Sequence, residues 1–230
     1  MTWMMPLAAV AVALAAGLGL AVPSSAVAGK PTAQELSHDG LEASKQRGLD
    51  QIFVRPGASL AGYKRIQLDE VEVAFAKYWE PVRTGSTVPI KAEDREQIRA
   101  HVAKLVRDQF AKDLQAKSGY PLATAPGPDV LRVKARIIDL TLAVPELRES
   151  SMTRIYAMSA GEMTLVAELF DSETGQVLAR AVDRREGRNV GQMVRITPQE
   201  TSAQIEEIAS TWARILRERL DQAKAVSSPK

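Results

Sequence analysis

The stretch Leu131-Arg132-Val133-Lys134-Ala135-Arg136-Ile137-Ile138-Asp139-Leu140-Thr141-Leu142-Ala143-Val144 decides the fold. Apolar side chains at 131, 133, 135 and 137 give the period of a β-strand. The apolar set then moves to 138, 140, 142 and 144. A change of parity inside one strand implies a bulge or bend. Length and near-continuous apolarity predict a central strand, buried on both faces for part of its length. Pro126-Gly127-Pro128 breaks the chain before it and Pro145 closes it.

Upstream, Lys91–Lys117 reads as a helix. Ile98, Val102, Leu105, Val106, Phe110 and Leu114 recur at spacings of three and four, so they share one face. Glu93 and Asp94 suit its first turn, Asp108 with Lys112 and Asp113 with Lys117 are pairs four apart, and Gly119 is the expected stop. Lys64–Phe75 reads as a strand that also switches parity, between Leu68 and Val71, with a bend near Asp69-Glu70. Ile52-Phe53-Val54 is a further strand. Residues 29–50 are polar and read as a linker.

Downstream, Glu146–Ala160 has no period and reads as a surface loop. Gly161–Phe170 and Gln176–Asp183 form a hairpin across Asp171-Ser172-Glu173-Thr174-Gly175. Asp starts such a turn well, and Gly can take the left-handed conformation that closes it. Arg184–Val194 is polar. Thr197-Pro198-Gln199-Glu200 is a capping box with proline at the first helical position, a specific start signal. Ile205, Ile208, Ala209, Trp212, Ile215, Leu216 and Leu220 then line one helix face. The order is β-β-α-β-β-β-α. It predicts an α+β domain over residues 51–224, a largely antiparallel sheet of about five strands under two amphipathic helices. Residues 225–230 read as a disordered tail.

The first thirty residues concern location. Met5–Val22 is an apolar run, and Ala26-Val27-Ala28-Gly29 follows with small residues at alternate positions, as at a signal peptidase site. Residues 1–28 are therefore expected to be a signal peptide, cut between Ala28 and Gly29. Met1–Pro6 carries no Lys or Arg, unlike the usual basic start, so an uncleaved membrane tether is the alternative. The chain has no cysteine. That removes a disulfide framework, thiolate metal ligands, a cysteine nucleophile and a lipid-modified cysteine together. With 30 basic against 28 acidic residues there is no electrostatic case for nucleic acid.

Catalytic signatures are absent: no nucleophile elbow, phosphate loop, dinucleotide fingerprint or H-E-x-x-H. His38 and His101 are too far apart in sequence to suggest a metal pair, and His101 borders a helical face. No cofactor or metal is expected. Asp139, Glu168 and Asp183 fall within strands and could form an acid/base pair if two met. The plainer reading puts each in water or beside Arg136, Arg180 or Arg184. Arg184, Arg185 and Arg188 form a small basic cluster, and Tyr78 with Trp79 ends a strand. These five are the candidate interaction surface. Trp212 lies among aliphatic neighbours and reads as core.

The segment Ile52–Ile66, with Arg55-Pro56-Gly57 and Tyr63, runs into Val71-Glu72-Val73-Ala74-Phe75 and resembles the opening of the bacterial domain-of-unknown-function family 3313. Pro128–Leu140, Leu169–Ala179 through Asp183-Arg184-Arg185, and the helix around Trp212-Ala213 fit its pattern too. The resemblance spans most of residues 38–224. It implies an exported protein of a Gram-negative envelope, in a family with many lipoproteins and no established catalytic residues. The missing cysteine sets this chain apart from the lipoproteins. The expectation is a periplasmic, non-catalytic domain that binds an envelope protein or polymer. The alternatives are a hydrolase built on strand carboxylates and the same domain tethered to the inner membrane.

Overall fold

The computed structural model describes residues 37–45, 47–79, 91–143, 155–157, 159–188 and 191–227. The expected signal segment with Ala26, Ala28 and Gly29, the turn at Glu80-Pro81, the strand end at Val144-Pro145 and residues 228–230 lie outside them.

The strand that opens the sequence reading is β5 (Val130–Leu142). Around it stand β1 (Glu42–Ser44), β2 (Gln51–Val54), β3 (Arg65–Leu68), β4 (Glu72–Phe75), β7 (Gly161–Asp171) and β8 (Val177–Glu186). They form a seven-stranded sheet in the order β1-β2-β8-β7-β5-β3, with β4 also paired to β5. The pairs from β1 to β5 are antiparallel; β3 and β4 both run parallel to β5. Parallel neighbours need a crossover, and helix α1 (Ala92–Gln115) supplies it between β4 and β5. A separate two-stranded sheet pairs β6 (Ile155–Ala157) with β9 (Val194–Ile196), and helix α2 (Pro198–Ser227) completes the order. The α+β class stands, with seven strands in the main sheet where about five were expected.

Two events account for the extra strands. Lys64–Phe75 is two strands: the chain leaves the ladder at Asp69–Val71 and re-enters it with the other parity facing the core. And residues read as linker give β1, which lies along β2. Ahead of it, Leu41 is buried in a small cluster with Phe53, Val166 and Val182 on the sheet face away from the helices. The expected loop likewise contains β6, and β9 begins at Val194, the last residue of the polar stretch.

In β5, burial follows 131, 133, 135 and 137, then 140 and 142. The register slips by one residue there against both neighbours: Val73 and Phe75 face Ile137 and Leu140, while Thr164 and Glu162 face Ile138 and Thr141. Asp139 has a φ of 51°. It marks the extra residue, and the bulge keeps both halves of β5 facing the same core. The strand is interior but stands one place from the sheet's edge, not at its centre, and one face alone is covered by helices. On the other, Arg132 is exposed, Lys134 and Arg136 are half-buried, and Ile138 packs against the smaller cluster.

Helix α1 buries a strict row at spacing four: Ile98, Val102, Val106, Phe110 and Leu114. Leu105 flanks it, half-buried. Lys104 pairs with Asp108 and Gln109 with Asp113, in place of the expected pairs. The helix ends at Gln115, and Lys117, with φ of 50°, makes the left-handed turn. Gly119 serves close approach instead: a Cβ there would lie 2.2 Å from the Leu114 carbonyl oxygen. Helix α2 begins with the capping box intact. The Glu200 N–H donates to Thr197 Oγ1 at 3.2 Å, and the Thr197 N–H donates to Glu200 Oε2 at 2.8 Å. Gly175 closes the hairpin at φ of 68°.

Candidate functional site

The strand carboxylates do not assemble. Register places Asp183 opposite Leu165, on the helix side, and Glu168 opposite Arg180, on the other. An odd offset along neighbouring strands sends side chains to opposite faces, so the sheet separates them. Asp183 is 3% exposed. Its Oδ2 accepts from Trp212 Nε1 at 2.8 Å and Arg185 Nε at 2.7 Å, and its Oδ1 accepts the Asp50 N–H at 3.0 Å. Three donors make it a brace between β8, α2 and the chain ahead of β2, and Trp212 is core. Asp139 sits at the bulge. The carboxylate-pair enzyme therefore lacks its constellation.

Glu168 belongs to a latch on the second face. Its Oε1 accepts from Arg180 Nε at 2.7 Å. Arg180, 5% exposed, also donates to Asp39 Oδ2 at 2.9 Å and shares a contact of 2.9 Å with His38 Nδ1. The bond from Arg180 holds the Asp39 carboxyl below its ordinary range. His38 is thus part of the clamp that fastens the N-terminal arm. His101, on α1, lies 3.1 Å from Ser202 Oγ on α2, and burial lowers its basicity. Among the described residues no group of three His, Cys, Asp or Glu side chains is placed to hold a metal ion.

The basic cluster disperses. Arg184 pairs with Glu162 on the second face, Arg185 with Asp183 on the helix side, and Arg188 with Glu207 at 3.3 Å. Other charges on the second face are matched too: Arg65 with Asp129, Arg132 with Asp69 and Lys134 with Glu72.

Tyr78 and Trp79 lie beside a groove of about 670 Å³ between β4 and α1. Tyr78 is 85% exposed. Trp79 stacks on Phe75, ring centroids 4.6 Å apart and planes within 12°, and its Nε1 donates to the Leu142 carbonyl at 3.3 Å. The Arg95 guanidinium stands 5.9 Å from both ring centroids, and Arg99 stands 5.4 Å from that of Phe75. Ala100 and Ala103 line the helix wall, where small side chains leave room. The sequence pointed to Tyr78 and Trp79 as aromatics at a strand end. It gave no hint of Phe75, Arg95 and Arg99, because helix and strand meet only in the tertiary fold.

A mixed sheet with two helices on one face, a brace instead of an acid/base pair, and an open aromatic groove at one edge define an α+β domain. The chain belongs to the family described as protein of unknown function (DUF3313), whose model matches residues 31–216. No curated protein matches it. Among solved structures it is similar to a PelC dodecamer from Paraburkholderia phytofirmans, at 10% identity and a TM-score of 0.35, covering 74% of this chain and 97% of that one. It is also similar to a Xanthomonas campestris protein of the DUF330 family model, at 9% identity and a TM-score of 0.40, covering 72% of this chain and 90% of that one.

Proposed function

We propose that this protein is an exported envelope domain that binds a partner and carries out no chemistry, with the β4–α1 groove and Tyr78-Trp79 as its contact surface. The observation behind this reading is the groove itself, with its stacked Phe75–Trp79 pair and a large exposed tyrosine at its rim. Such aromatics supply contact area at little entropic cost and are enriched where proteins meet partners. The apolar N-terminal run and Ala26-Val27-Ala28 support export with cleavage before Gly29. The partner is an envelope protein or polymer, and the membrane itself is engaged only if the N-terminal run is retained.

A photo-crosslinking residue placed at Tyr78 in living cells tests the reading. It should capture a discrete adduct. Trp79→Ala should reduce that adduct at least several-fold, and Glu173→Ala, exposed in the β7–β8 turn, should leave it unchanged. Absence of any adduct at Tyr78 would remove Tyr78-Trp79 from the contact surface. Intact mass of the fractionated protein should start at Gly29; a retained Met1 would replace the soluble form with the tethered one.

A further inference from the structure

The sheet's last strand leaves backbone groups exposed. In a parallel ladder alternate residues turn both N–H and C=O the same way. The Ala76 N–H reaches the Leu140 carbonyl at 3.0 Å. Glu72 and Ala74 share that parity and face β5, so the groups of Val73 and Phe75 face outward. Among the described residues nothing pairs with that side of β4. Beside it, β3 is covered: the Ile66 N–H donates to Pro121 O, and Ile66 O accepts from the Ala123 N–H. An open edge invites another strand, and here it opens onto the groove described above.

We propose that β4 takes an extended acidic peptide segment of a partner as an added strand, with backbone bonds to Val73 and Phe75. This rests on the reading of the same groove as the contact surface. Side chains pointing to the helix side would meet Ala100 and Ala103, which suits small apolar residues. Charge selects the ends. The groove's two carboxylates are engaged within the chain, Glu72 by Lys134 at 3.1 Å and Glu96 by Arg99. Lys77 at the far end has the Tyr78 ring 5.2 Å away and no carboxylate within reach among the described residues. The attraction left over is for anions. Strand addition gives affinity through the main chain and selectivity through alternate side chains.

The test uses the full mature chain and two synthetic nine-residue peptides alternating valine and threonine, one ended by aspartates and its twin by lysines. The aspartate peptide should shift the Val73 and Phe75 amide resonances and slow their hydrogen exchange, and the lysine twin should bind at least tenfold more weakly. Ala100→Glu, an exposed helical change that leaves the fold intact, should weaken the aspartate peptide tenfold or more. Failure of both peptides to touch these amides overturns the proposal. So does protection already present without peptide at high dilution, which would mean the chain covers its own edge. Protection that grows with protein concentration alone would assign the edge to a second copy. If the peptides fail while the Tyr78 adduct persists, strand addition falls and the binding domain stands. If no adduct forms while the aspartate peptide binds, the β4 edge stands as the contact surface and Tyr78 falls outside it.

Discussion

Single residues show how the same side-chain type takes different duties. Asp183 and Glu168 are both strand carboxylates, and each is bound to an arginine on its own side of the sheet. His101 shows the reverse of a ligand: half-buried between the helices, it favours the neutral form through desolvation, with Glu206 opposing that preference and Lys104 adding to it. As pH falls below about 6.5 the unfolded chain takes up the proton first, so stability present at higher pH is lost as pH drops through the folded value. The urea midpoint should therefore fall between pH 7.5 and 5.5, and His101→Gln should fall less over the same interval. Equal losses would show that this imidazole does not govern the slope.

Elements carry the clearest sequence signals where the physics is local. The capping box at Thr197 and Glu200 forms as its four-residue pattern demands. Thr197→Ala should lower unfolding free energy by about 1 kcal/mol in urea titration, since a donor at the start of α2 loses its acceptor. The parity switch in β5 is equally local, because a strand keeps its face only by inserting a residue, and Asp139 is that residue. The same signal in Lys64–Phe75 meant an interrupted strand instead, and periodicity alone cannot distinguish a bulge from a break. β1 was illegible: Glu42–Ser44 is short and polar, and only pairing with β2 makes it a strand. The groove was half-legible for a related reason. Aromatics at 78 and 79 stand out in one dimension, while alanines at 100 and 103 matter only once a helix lies along a strand's free side.

At the scale of the molecule there are two cores of unequal size. The larger one lies between both helices and the sheet, and Leu114 within it is fully buried. Leu114→Ala should cost about 2–5 kcal/mol, and Leu105→Ala, at the half-buried flank, clearly less. Thermal melting of the two variants side by side checks the ranking; a larger loss for Leu105→Ala would mean that α1 is rotated about its axis. The smaller core depends on Leu41, so the N-terminal arm ahead of β1 contributes to the fold as well as connecting to it.

The strand order sets the N-terminal arm and the open β4 edge on opposite rims of the sheet. The chain enters at β1, on one rim of the sheet, and β4 lies on the opposite rim. Five strand-to-strand steps separate them, roughly 24 Å at the usual spacing. Anything that grips the N-terminal side therefore pulls on the rim farthest from β4. The buried Arg180 clamp, tied to Asp39 in the arm and Glu168 in β7, is the joint through which that pull passes into the sheet and leaves the β4 rim untouched.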